Sequence, residues 1–285
     1  MATSAVASRV APHFGAVRRH LGERSVERVS IGPFHCTEDG SDMSHALGEL
    51  IGSGASAEVF EYGSDVLKLF RPQYSYAADM EAARTGAVHE AGIPAPRFIA
   101  VIDVEDRRGI VLERIEGRTL LEEMLAGRTD ARSAGMLTAE VQVAIHDMTA
   151  DLPRLSDVAD LGPLADGSAV CHLDLHPGNV IMSPLGLVVI DWVNAHLTAV
   201  AADVARSVMT IRYQGLGLLG ADGGLDEERR VRTAVLDGYM DRLRDLRDTP
   251  KGFAQWLGRT AGRLLAAEPD NPDAAELTQL VDAAS

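Results

Sequence analysis

The chain has 285 residues, 46% of them hydrophobic, which suits one large domain or two lobes around a sizeable core and excludes disorder of the whole chain. Its formal net charge of −15 would repel nucleic acid and an anionic membrane face, whereas a cationic small molecule would be favoured in an acidic cleft. Two cysteines, Cys36 and Cys171, form neither a disulfide framework nor a paired metal motif, and no apolar run approaches the ~20 residues of a membrane span, so a cytoplasmic setting is expected.

At the start of the chain the first acidic residue is Glu23, with Arg9, Arg18 and Arg19 before it. Such a start can be an organelle presequence, but residues 1–44 read as a loosely attached extension, with Met43 just ahead of the patterned part. From Leu47 to Gly117 the pattern is mostly strand. AEVFEYG, the turn Gly63-Ser64-Asp65 and DVLKLF predict a hairpin. A helix over about Ala77–Ala91 should end at Gly92, with Pro94 and Pro96 beyond it. RFIAVID and GIVLERI predict two more strands joined by the turn Asp106-Arg107-Arg108.

After Gly117 the character changes. Thr119 and Glu122 form a capping box ahead of LLEEMLAG, and a second helix is predicted over about Thr138–Thr149. Short strands follow around VCHL, NVIM and LVVID. Helices are predicted over about Ala199–Arg212, Asp226–Arg247 and Gly252–Ala267, and a last one behind Asn271-Pro272, read as N-cap and first-turn proline. The expected fold class is α+β: a strand-rich lobe over 45–115, a mainly helical lobe over 116–285, and a hinge near Glu113–Gly117.

Three motifs carry chemistry. In GSGASAEV, from Gly52 to Val59, glycines let the backbone approach a phosphate and aim N–H groups at it. A dinucleotide fold would need a helix directly afterwards; a second strand follows instead, as in the phosphate-covering lid of kinases, with Ala57 in place of the third glycine. Alone, the loop also reads as an ordinary hairpin turn, and the carboxylate of Glu58 inside it has no account at this level. In DVLKLF, Lys68 shares a strand face with Val66 and Phe70, so its ammonium must reach solvent or find an anion. Glu81 on the next helix is the natural partner, with Asp79 and Glu90 as lesser alternatives.

The third motif is HLDLHPGNVIMSPLGLVVIDW, His172 to Trp192. On a strand, His172, Asp174 and His176 would line one face, and Asp191 could complete a zinc site. Pro177 and Gly178 break such a strand, however, and Asn179 suits magnesium better than zinc. The spacing fits the kinase loop H-x-D-L-x-x-x-N, and Asp191 at the end of an apolar strand suits a second magnesium ligand.

These residues resemble the aminoglycoside phosphotransferase-type small-molecule kinases of the protein-kinase-like superfamily. CHLDLHPGNV is similar to that family's H-G-D-L-H-P-G-N signature, with Leu173 in place of its glycine. VIDW resembles its I-D-W/F element and ADVARSV its D-L-A segment. The resemblance implies a two-lobed kinase-like fold with an antiparallel-sheet N-lobe. It implies that Asp174 orients the acceptor hydroxyl, that Asn179 and Asp191 hold Mg2+, and that Lys68, held by Glu81, contacts the ATP phosphates. Gly52 and Gly54 would cover those phosphates, and backbone from Glu113 to Ile115 would meet adenine. His172 would brace the loop. The implied activity is transfer of the γ-phosphate of ATP, or GTP, to a hydroxyl of a small, cationic antibiotic or metabolite. A non-catalytic nucleotide-binding protein, a protein kinase and a metal hydrolase are the alternatives. His146 reads as a packing or solvent-facing residue, Asp203 as a brace, Trp192 as core, and the DEERR run as a solvated helix start.

Overall fold

The computed structural model describes residues 47–150, 168–214 and 224–284; the expected extension over 1–44 lies outside them. The alternating apolar residues build one five-stranded antiparallel sheet. Its strands are β1 (Leu50–Ser53), β2 (Ala57–Tyr62), β3 (Asp65–Phe70), β4 (Phe98–Val104) and β5 (Arg107–Leu112), in the order β1-β2-β3-β5-β4. The period of two sends Leu67 and Leu69 to one face with Tyr62 and Val111. Phe70, Ile110 and Leu112 go to the other face, against Ala77, Ala78 and Ala82 of helix α1 (Ala77–Glu90). Burying side chains of this size stabilises the fold by about 2 kcal/mol each. Ala57 joins that second face, so the methyl group standing where kinases carry glycine is a core contact.

Helix α1 stops as its sequence predicts. Gly92 takes φ 80, its N–H meets the His89 carbonyl at 2.9 Å, and the Ile93 N–H meets the Val88 carbonyl at 3.0 Å. That is a Schellman cap, with Val88 and Ile93 in one core cluster. The β4–β5 turn differs from expectation. It lies at Glu105-Asp106, with Glu105 at φ 56, and Arg107 and Arg108 belong to β5. Their side chains explain the shift: Arg107 donates to the Leu69 and Phe70 carbonyls, while Arg108 pairs with Asp103 and Asp79.

The remainder is mainly helical: α2 (Leu120–Leu125), α3 (Ala131–Ala150), α4 (Val200–Met209), α5 (Leu225–Leu246), α6 (Phe253–Ala267) and α7 (Ala274–Ala283). The capping box at Thr119 and Glu122 forms with both of its bonds. Helix α3 starts at Ala131, not near Thr138, because Asp130 accepts from the Ser133 N–H at 2.9 Å and thus caps an earlier turn. The intervening Gly135 is no breaker; it lets α3 lie against the α5 backbone at Val235. The last helix starts at Ala274 with Asp273 at its N-cap position, and Asn271 lies two residues too early to cap it, accepting instead the Asp273 N–H at 2.9 Å.

Two small sheets complete this half: β6 (Arg118–Thr119) with β8 (Val180–Ser183) and β9 (Gly186–Val189), and β7 (Ser168–Cys171) with β10 (His196–Ala199). Strand β6, with two residues, is too short to stand out in the sequence, whereas β10 is as long as β7, β8 and β9 but is not among the predicted strands. Trp192 is fully buried among Leu175, Val180, Val189 and Ile145, in a cluster that also takes Val88, Ile93 and Ala95 from the end of α1. Arg84 of α1 donates to the Val193 carbonyl, and the Val189 N–H meets the Pro94 carbonyl at 2.8 Å. No helix among the described residues is long and apolar enough to cross a membrane.

Candidate active site

Lys68 lies on the α1 side of the sheet, its Nζ 5.4 Å from the centre of the Phe70 ring. Both oxygens of Glu81 accept from it, at 2.8 and 2.7 Å, and Asp191 Oδ1 accepts at 2.9 Å. Asp79 is instead paired with Arg108, which leaves Glu81 as the α1 carboxylate that meets Lys68. Burial pushes Glu81 up to about 7, against the pull of the Lys68 ammonium. Burial also opposes the charge on Lys68, but Glu81 and Asp191 outweigh it and raise its pKa. Asp191 moves the other way: although desolvation opposes its charge, Lys68 holds it below the usual carboxylate range. One ammonium thus bridges an α1 carboxylate and the residue that follows the β8–β9 hairpin.

The second group lies between β7 and β8. The zinc-like face that His172, Asp174 and His176 would line on a strand does not form, because β7 ends at Cys171 and Leu173 turns the backbone with φ 61. His172 Nε2 is bonded to the Ile190 carbonyl at 2.9 Å, its Nδ1 takes the Asp174 N–H at 3.3 Å, and its ring stands edge-on to Trp192. His176 Nδ1 accepts the Gly178 N–H at 3.1 Å and caps the 3-10 turn Pro177–Asn179; burial holds this imidazole below its ordinary pKa. Asn179 Nδ2 donates to the Asp174 carbonyl at 2.9 Å, so its amide oxygen is the atom able to serve a metal. The Asn179 carbonyl also accepts the Ile190 N–H at 3.0 Å, and Val180 pairs with Val189. Asn179 and Asp191 therefore flank the same end of one hairpin. A carboxylate and an amide oxygen form a hard donor set suited to Mg2+.

Asp174 meets two residues to which the sequence assigned no role. Thr210 Oγ1 donates to Asp174 Oδ1 at 3.1 Å, and Arg206 Nη2 lies 3.7 Å from the same oxygen. Asp203 accepts the Leu173 N–H at 2.6 Å, together with His146 Nε2 and Gln142 Nε2, each at 2.8 Å. Tyr239 donates to Gln142 Oε1. Burial alone would raise the Asp203 carboxyl; His146, the Leu173 N–H and Gln142 hold it below the usual range. His146 does pack within the core, but as a member of this network. Cys171 stands close enough to His146 and Asp203 for the three to suggest a metal site. Burial and Asp203 push its thiol up, however, and Asp203 is already spent on three donors. The sequence offered Asp203 as a brace within ADVARSV, and the D-x-x-R-x-x-x-T spacing that places Asp203, Arg206 and Thr210 on one helix face extends that signal to the other two.

The glycine loop closes with the Gly54 N–H on the Ala57 carbonyl at 2.8 Å. A Cβ on Gly52 or Gly54 would meet neighbours only at 3.6 and 3.7 Å, so packing within the loop does not demand glycine. Glu58 is neutralised by Arg107 at 2.8 Å and Arg71 at 3.6 Å, and Arg71 also reaches the Gly54 carbonyl at 3.3 Å. At the far edge of the sheet the Glu113 N–H is taken by the Arg97 carbonyl at 2.9 Å, so the Glu113 carbonyl is what its backbone can offer a ligand. Ile115 is half-buried two residues further on.

The sequence profile of the phosphotransferase enzyme family matches residues 48–167 and 150–246. No curated protein matches the chain. Among solved structures, an aminoglycoside-3'-phosphotransferase of type VIII is 18% identical, with a TM-score of 0.41, covering 80% of this chain and 99% of its own. The amicoumacin kinase hAmiN, solved with AMP-PNP, Ca2+ and Ami, is 13% identical, with a TM-score of 0.49 and coverage of 82% and 88%. An aminoglycoside phosphotransferase from Streptomyces rimosus is 20% identical, with a TM-score of 0.42 and coverage of 72% and 91%.

Proposed function

The chain belongs to the phosphotransferase enzyme family, and from that premise we propose that it transfers the γ-phosphate of ATP to a hydroxyl of a small molecule in the cytoplasm. The observation that carries this reading is the Lys68–Glu81–Asp191 cluster, tied through Ile190 to the loop that holds Asp174 and Asn179. Mg2+ bound with the nucleotide supplies charge neutralisation on the phosphates, and Asn179 and Asp191 are the residues to hold it. Lys68, steadied by Glu81, contacts the phosphates. Amides around Gly52 and Gly54 cover them, in the space that glycine leaves open. The backbone of Glu113 and Ile115 meets the purine. Asp174 accepts a hydrogen bond from the acceptor hydroxyl and aligns its oxygen for attack, since phosphoryl transfer asks the protein mainly to position groups and to balance charge. The nucleotide side belongs to residues 45–115 and the acceptor side to 116–285. A net charge of −15 favours a cationic acceptor, such as an aminoglycoside-like antibiotic or an amine metabolite.

The test is nucleoside diphosphate release from MgATP and MgGTP against aminoglycosides, choline-like amines and sugars, with Asp174→Ala alongside. Turnover should appear with one acceptor class and fall by about a thousandfold in the variant, while MgATP still binds. Near-wild-type turnover in Asp174→Ala would remove that residue from the mechanism. Nucleotide binding with no acceptor-stimulated release would leave a binding protein in place of an enzyme.

A further inference from the structure

The loop that carries Asp174 places a branched side chain where the backbone disfavours one. Leu173 sits at φ 61, in the left-handed region where a Cβ crowds the neighbouring carbonyl. Such a residue keeps its conformation only when its surroundings over-determine it. Here the surroundings are a single helix. Both backbone polar groups of Leu173 are held by α4, its N–H by Asp203 Oδ1 at 2.6 Å and its carbonyl by Arg206 Nε at 3.0 Å. The same guanidinium extends Nη2 to 3.7 Å from Asp174 Oδ1. One turn further, Thr210 Oγ1 donates to that oxygen at 3.1 Å.

The three side chains, Asp203 and Arg206 of α4 and Thr210 just past its end, are therefore divided by task. Asp203 is buried and belongs to the network of His146 and Gln142. Arg206 and Asp174 are partly open, with side chains 32% and 29% exposed, as groups at the edge of a working cleft would be. Thr210 has one hydroxyl proton and two acceptors in reach, Asp174 Oδ1 and Gln214 Oε1, both at 3.1 Å. A carboxylate is the stronger acceptor, and the Gln214 amide can turn to donate instead, so the proton goes to Asp174. Among the described residues Arg206 is the ion-pair partner of Asp174. His176, two residues past Asp174, is committed to the Gly178 N–H and supplies no charge there.

We propose that Arg206 and Thr210 are positioning residues for the transfer step: they hold Asp174 by Oδ1 and so present Oδ2 to the acceptor hydroxyl, while Arg206 also latches the left-handed Leu173. This rests on the phosphotransferase reading above. Neither residue touches the reacting atoms; each acts through Asp174. Arginine suits the latch because its planar fork reaches a carbonyl and a carboxylate at once, which the single ammonium of lysine does not.

The test uses the full chain, with Arg206→Met, Arg206→Lys, Thr210→Val, Thr210→Ser, Leu173→Gly and the Leu173→Gly/Arg206→Met double variant. Acceptor-stimulated diphosphate release and thermal melting are measured on each. Arg206→Met should lower kcat by about a hundredfold, and Thr210→Val by about tenfold, with the nucleotide KM unchanged. Thr210→Ser should restore the rate, and Arg206→Lys should stay impaired. Leu173→Gly removes the strain, so in the Arg206→Met background it should recover most of the lost melting temperature. Wild-type kcat in Arg206→Met and Thr210→Val, with Asp174→Ala inactive, would overturn the proposal. Additive melting losses in the double variant would also overturn it. Should the wild type use no acceptor at all, the phosphotransferase reading falls by itself; the melting cycle then still decides whether Arg206 latches Leu173.

Discussion

Lys68 shows how a single residue can be read and then reread. A lysine between apolar neighbours on a strand must find an anion, and it finds two. The first of them, Glu81, matters for stability as well as chemistry. Burial lifts Glu81 to about 7, above its ordinary value, so the folded chain binds a proton that the unfolded chain releases. That contribution is fully present below about pH 4.3 and fades as pH rises through the folded value. With Lys68 in place its ammonium compensates. Without it, Glu81 is a buried acid with no cation. Lys68→Met should therefore be less stable than wild type by about 3 kcal/mol near pH 8, and by clearly less near pH 5, where Glu81 is protonated. Urea unfolding at the two pH values checks this; an equal deficit at both would remove Glu81 as its cause. Glu58 teaches the converse lesson. Its carboxylate made no sense in a phosphate-covering loop until Arg71 and Arg107 were found beside it.

Among the elements, glycine has opposite meanings at two sites. At Gly92 the backbone is left-handed with open space around it, so the cost of a side chain is conformational. Gly92→Ala should cost about 1 kcal/mol. At Gly135 the backbone is helical, but an added Cβ would strike the Val235 carbonyl of α5, and on the facing helix a Cβ on Gly238 would strike the Arg132 carbonyl. No side chain can move aside there; a helix must. Gly135→Ala should cost about 3 kcal/mol or more by chemical denaturation. A loss no greater than that of Gly92→Ala would mean that the α3–α5 crossing tolerates separation. This crossing also explains why periodicity placed the start of α3 too late: glycine is a poor helix former, and only its partner helix shows why it is there.

For the whole molecule, the Asp203 network joins α3, α4 and α5 to the Asp174 loop through His146, Gln142, Tyr239 and the Leu173 N–H. Its centre is a fully buried carboxylate held below its ordinary pKa, so its stabilisation is present above about pH 4 and lost as pH falls through the folded value. Asp203→Asn should be less stable by about 2–3 kcal/mol at neutral pH, with the deficit closing as pH falls through the folded value of Asp203. Denaturant melts across that range check it; a deficit that is independent of pH would mean that shape, not charge, is what Asp203 contributes.

The elements of the sheet, the capping box, the Schellman cap and the H-x-D-L-x-x-x-N spacing were determined by the sequence alone, because each depends on residues within a turn or a strand of one another. The Lys68–Glu81 pair, 13 residues apart across one strand–helix step, was still legible as the nearest way to neutralise a buried ammonium. Asp191 reaches Lys68 across 123 residues, and Arg206 and Thr210 reach the Asp174 loop from another helix. No period along the chain encodes those distances. The breakdown of the histidine face had a local cause, one positive φ at Leu173, but what holds that angle is α4. Tertiary structure decided these contacts because a buried polar group takes its partner from whatever element packs against it, and that choice is made only when the helices close on the sheet.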